Sequence, residues 1–119
     1  MSRRYLSVDE AKFALQRGKE VEIFLGGFEW SGLKCIRWAS FVFIDKDFVG
    51  KLWEVIDEGS ENFLDIYSFS PISGEWEPIK EATSSEFEKV LEMFDCPNNR
   101  LVNSGVLQDE YSDYLASKV

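Results

Sequence analysis

The stretch "LKCIRWASFVFID", residues 33–45, decides the fold. β-Branched and aromatic side chains dominate it, and these suit a pleated sheet surface better than a helix. Its length fits one long strand or two short ones. Asp45-Lys46-Asp47 follows, with the composition of a turn between strands. Upstream, "EVEIFLG" places Val21, Ile23 and Leu25 on one face by alternation, which predicts another strand. Gly26-Gly27 and Ser31-Gly32 read as turns flanking a short "FEW" strand. Downstream, residues 51–79 read as a three-stranded meander with turns at 58–62 and 71–74. In its middle strand Leu64 and Ile66 would point one way, and Asp65 and Tyr67 the other.

Helical patterns bracket this β-rich centre. Ser7-Val8-Asp9-Glu10 is a capping box, predicting a helix over 8–17 that stops at Gly18. Val8, Ala11, Ala14 and Leu15 form its inner face, and Phe13 falls outside it. Thr83-Ser84-Ser85-Glu86 reads as a second capping box, opening a helix near 84–94 with Phe87, Val90, Leu91 and Phe94 inward. A last helix is expected over 106–116, with Leu107, Tyr111, Tyr114 and Leu115 inward. The expected fold is α+β: an antiparallel sheet of about five strands across 21–80, flanked by one N-terminal and two C-terminal helices packed on one side. A chain of 119 residues with 45% hydrophobic content fits a single domain over 1–119.

Several chemistries find no support. "GGFEWSGLK" resembles a phosphate loop, but Leu33 separates the second glycine from the lysine and Cys35 replaces the hydroxyl residue. A strand follows where a phosphate-binding helix N-terminus belongs. Asp45 to Gly50 resembles the start of a calcium loop, yet Val49 and Ile56 occupy positions that need oxygen ligands. With no histidine and two distant cysteines, neither a zinc site nor a histidine-activated nucleophile is expected. Asp57 and Glu58 are adjacent, so in a strand they would not converge on one substrate. Cys35 has Lys34 and Arg37 nearby in sequence, a weak hint of thiol activation. No catalytic residue, metal or cofactor is therefore assigned. Reduced thiols, no secretory signal and no long apolar run lead to the expectation of a cytoplasmic protein.

Charge carries more information. Net charge is −9. Residues 1–51 hold nine bases and seven acids, while residues 52–119 hold four bases and fifteen acids. Such a balance disfavours direct nucleic-acid binding through phosphates. Asp57, Glu58, Glu61 and Asp65 in the meander read as exposed acids, with Glu75 and Glu77 around Trp76. Glu88 and Glu92 lie on the outer face of the second helix, with Asp95 continuing the stripe; Asp109 and Asp113 repeat it on the last. Like charges one turn apart cost a helix about 0.2–0.5 kcal/mol per pair, so helix stability does not account for the stripe. With Tyr67 and Trp76 as aromatic anchors, these positions form the candidate binding face for a basic protein partner. The expected function is non-enzymatic inhibition, of the bacterial immunity or antitoxin type, directed at a basic nuclease-like toxin. The alternative is a small enzyme or ligand-binding domain whose pocket is lined by Trp30, Trp38 and Trp53.

Overall fold

In a computed structural model of the chain, helix α1 (Val8–Gln16) leads into strands β1 (Val21–Trp30), β2 (Leu33–Ile44) and β3 (Asp47–Ile56). A 3₁₀ turn (Ile66–Ser68), strand β4 (Lys80–Ser84), helix α2 (Phe87–Met93), strand β5 (Val102–Asn103) and helix α3 (Leu107–Ala116) follow. The structure describes residues 5–59, 63–72, 74, 77–96, 100–104 and 106–116. The five strands form one antiparallel sheet in the order β4-β3-β2-β1-β5. This is the α+β architecture the sequence pattern predicts. Among the described residues no helix is long and apolar enough to cross a membrane.

Two tight hairpins organise the sheet. Ser31-Gly32 joins β1 to β2 and Asp45-Lys46 joins β2 to β3, all four residues at positive φ. That conformation matches the right-handed twist of the flanking strands. Gly26 and Gly27, in contrast, form no turn. β1 runs through them as one strand, and an irregularity between Phe24 and Gly26 absorbs the extra residue. Gly26 sits there at φ +101, a conformation that side chains with a Cβ resist.

β2 is apolar on both faces, and both faces are covered. Ala39 and Phe41 share one face with Val21, Ile23, Phe48, Leu52 and Ala82, beneath α1 and α2. Ala11 and Leu15 contribute from α1; Phe87, Val90 and Leu91 contribute from α2, with Phe94 just beyond its end. Gly50 belongs to this layer, where an added Cβ would lie 2.7 Å from both Val90 and Phe94 side chains. Ile36 and Trp38 share the opposite face with Val55, beneath α3 and the 3₁₀ turn. The helices are therefore divided between two faces, not gathered on one. A central strand with two apolar faces requires a cover on each.

The meander's expected middle strand is also replaced. Ile66 and Phe69 are both fully buried in the cluster under α3. Residues three apart point to opposite faces of a strand, but a helical turn brings both onto one side. Residues 70–72 then return along the far end of β3, through a Val55–Pro71 bridge and an Ile56 N–H to Ser70 carbonyl bond of 2.9 Å. Gly74 N–H closes the expected turn onto Pro71 at 3.1 Å.

The first capping box is present. Ser7 Oγ accepts from Glu10 N–H at 3.1 Å and Glu10 Oε1 accepts from Ser7 N–H at 3.0 Å. Gly18, at φ +87, follows the helix end as expected. The second box does not form, because β4 continues through Thr83, which pairs with Val49. α2 starts at Phe87 with no side-chain cap, and Ser84 Oγ instead accepts from Glu86 N–H at 3.1 Å. The segment before α1 also meets the one before α3: Leu6 bridges Leu101, its N–H donating at 2.7 Å.

Candidate partner-binding surface

α3 places its buried residues at the spacing of one helical face, Leu107 and Tyr111, with Tyr114 beside them. Tyr111 is fully buried, and its hydroxyl donates to Asp57 Oδ1. Burial first, then the Asp57 carboxylate, pushes the Tyr111 phenol well above its ordinary range. Phe24 on β1 packs against Tyr111 and Tyr114 with ring centroids 6.3 and 5.4 Å apart. Tyr114 lies so close over Gly27 that a Cβ there would displace its ring.

Two acids beneath this layer are buried. Glu22, 3% exposed, accepts from the Tyr67 hydroxyl at 2.7 Å. Glu110, 5% exposed, accepts from the Tyr5 hydroxyl at 2.8 Å, and Arg100 donates to Tyr5 at 3.0 Å and lies 3.9 Å from Glu110. Buried carboxylates need such donors to offset lost hydration. Glu22 falls on the face of β1 opposite Val21 and Ile23. Its burial follows from Tyr67, supplied by a segment 45 residues away, which no local pattern indicates.

The structure divides the predicted binding residues into three groups. Asp57, Glu58, Asp65 and Tyr67 lie with α3, and each is engaged within the fold. Glu58 accepts from the Ser70 N–H and, at 3.2 Å, from the Ser70 hydroxyl. Asp65 accepts from Gln108 Nε2 at 3.4 Å. Asp57 and Glu58 are thus acceptors within the fold, Asp57 half-buried and Glu58 exposed as its turn-like sequence suggests. Glu88 and Glu92 are exposed on α2, across the sheet from α3, and Glu88 pairs with Lys12 at 3.1 Å. They cannot share one flat contact with Tyr67. Glu77 is exposed, while Glu61, Glu75 and Trp76 lie outside the described residues.

Gln108 holds the exposed Asp65 at one flank of α3. Farther round the helix, Asp109 and Asp113 stand one turn apart and are both exposed. Beside them opens a shallow cleft of about 470 Å³ lined by Phe24, Leu25, Gly26, Arg100, Glu110, Asp113 and Tyr114. It lies along β1 where that strand has outrun β5, which pairs only with Val21 and Glu22.

The tryptophans form no common pocket. Trp38 and Trp53 stack at 5.6 Å with Tyr67 edge-on to Trp38, whereas Trp30 lies at the hairpin end of the opposite face. Trp38 Nε1 is buried with no hydrogen-bond partner among the described residues. Nor is either thiol activated. Arg37, the cation near Cys35, pairs with Glu54, and burial followed by Glu54 and Asp57 raises the Cys35 thiol. Burial and Asp95 push Cys96 up to about 12. Among the described residues no three His, Cys, Asp or Glu side chains gather to hold a metal ion. Compared with protein-family models, with curated proteins and with solved structures, the chain matches none.

Proposed function

We propose that the chain is a non-enzymatic acidic binding protein that recognises a basic protein through the outer side of α3. The observation that carries this reading is the pair of exposed acids Asp109 and Asp113, one turn apart on α3 beside the cleft holding Tyr114 and Phe24. Like charges at this spacing destabilise a helix slightly, and they create a local negative potential that accelerates encounter with a cationic surface. The aromatic edge of the cleft supplies contact area once water leaves. A cytoplasmic immunity or antitoxin protein, covering the cationic cleft of a nuclease-like toxin, is the form of partnership that best fits a net charge of −9. A small-ligand role would use the same cleft, but the three tryptophans expected to line it lie elsewhere.

Affinity capture from the native host with mass spectrometry identifies the partner. Stopped-flow association is then measured across a salt series with wild type and with Asp65→Lys/Asp109→Lys/Asp113→Lys. The on-rate should fall steeply with salt, and the triple reversal should slow association about tenfold or more. A salt-independent on-rate, unchanged by the reversals, refutes the acidic-face reading.

A further inference from the structure

We infer that the open edge of β1 is a self-association site at which a second copy of the chain adds its own β1, antiparallel, with Phe28 facing Phe28. The site adjoins the cleft beside α3, since Gly26 lines that cleft and Tyr114 lies over Gly27, but it uses none of the acids on α3.

The argument starts from register. Trp30 and Leu33 flank a two-residue hairpin turn, which makes them a hydrogen-bonded pair, and alternation makes Phe28–Cys35 the next such pair. The main-chain N–H and C=O groups of Gly27 and Glu29 consequently point away from β2, toward the edge. Both residues are exposed, and among the described residues no strand lies beside them. The opposite edge of the sheet differs: β4 is five residues long, begins with Lys80 and Glu81, and is flanked by α2. Short charged strands are how natural edges avoid pairing. β1 presents a longer edge carrying Phe28 and Trp30, the latter 49% exposed.

The edge is self-complementary in one register. With Phe28 opposite Phe28, Gly27 of each copy faces Glu29 of the other, so both edge-pointing residues pair and the four free main-chain groups on each copy are satisfied. Trp30 of the second copy then lies opposite Gly26, where the space a Cβ would occupy is open to at least 4 Å. An aromatic ring over a strand glycine is a stabilising cross-strand arrangement. Shifting the register so that Glu29 faces Glu29 sets two carboxylates against each other and is disfavoured. The irregularity at Phe24 to Gly26 ends regular pairing on the other side. The result is a closed two-fold dimer in which each β1 edge covers the other, so it does not propagate into fibres.

A pairing of this length places the dimer at the weak end of specific association, with Kd on the order of 10 µM. Two chains of net charge −9 repel, so self-association should strengthen as salt rises, opposite in sign to binding a basic partner. Sedimentation velocity across concentration and salt should show a monomer–dimer equilibrium with that dependence. Glu29→Pro removes an edge N–H without breaking a bond to β2, and Trp30→Lys removes the ring over Gly26. Both should remain folded by circular dichroism and weaken the dimer about tenfold or more. In a Cys35→Ala/Cys96→Ala background, Phe28→Cys should form an intermolecular disulfide on mild oxidation. Its facing Cα atoms would be about 4.5 Å apart, within disulfide reach. Glu29→Cys, offset from its own counterpart, should not cross-link. A monomer at all concentrations overturns the inference, as does a dimer that Phe28→Cys fails to cross-link. Cross-linking by Glu29→Cys instead overturns the register.

Discussion

Replacing Tyr111 by phenylalanine removes a single oxygen from a fully buried side chain in the middle of α3. That oxygen donates to Asp57 and is bound by the Gly59 backbone, so the loop after β3 closes around it. Hydrogen bonds to charged groups contribute about 1.5–3 kcal/mol, and Asp57 is only half-buried, which places the loss near 2 kcal/mol. For a chain of this size that corresponds to a Tm lower by about 6–10 °C. Asp57→Asn should cost somewhat less, and the double variant should be less destabilised than the sum of the two, with a coupling of about 1–2 kcal/mol. A pH arm follows from the raised phenol. The folded state holds Tyr111 protonated above the ordinary pKa of 10, so its contribution is complete below pH 10 and is lost as pH rises beyond it. Urea titrations of wild type and Tyr111→Phe at neutral pH and above pH 10 measure both effects, with the variant losing less stability on alkalinisation. Additive single changes, or a Tyr111→Phe variant within about 0.5 kcal/mol of wild type, would refute the view that this contact fastens the loop.

Three further outcomes are expected. Gly50→Ala should destabilise by about 1–3 kcal/mol in chemical denaturation, because its Cβ meets Val90 and Phe94 in a closed layer. Lys46→Gly should raise stability by about 0.5–1 kcal/mol, since lysine holds φ +68 in the β2–β3 turn; thermal melts of the two proteins suffice to check it. Cys96, with its thiol pushed up to about 12, should react with a disulfide reagent at neutral pH far more slowly than a free thiol, and unfolding should abolish the difference.

The β2–β3 hairpin was legible because its signal is local: a run rich in β-branched and aromatic residues followed by a polar turn. α1 was legible for the same reason, with cap, face and stop all within about a dozen positions. Residues 63–70 were not, since alternation at Leu64–Tyr67 fits a strand while Ile66 and Phe69 must reach one cluster beneath α3. Nor was the start of α2, where a valid capping pattern lost Thr83 to pairing with Val49. The candidate surface was half legible. Composition located acids on the C-terminal half, but which of them serve the fold depends on Ser70, Gln108 and Tyr111, residues 12 to 54 positions away.

The meeting of Leu6 with Leu101, reinforced by Tyr5, Arg100 and Glu110, has a kinetic consequence. β1, β2 and β3 join through neighbours in the chain and close small loops, whereas this clasp spans about a hundred residues and must overcome the largest closure entropy. It belongs to the final stage of folding and the first stage of opening. Native-state hydrogen exchange should therefore release the Leu6 amide before those of central β2, and loss of the clasp loosens α3 without dissolving the hairpins beneath it. A circular permutant that joins the two ends and cuts at Ser31-Gly32 would convert this slowest closure into a local one, exchanging a late docking step for an early turn.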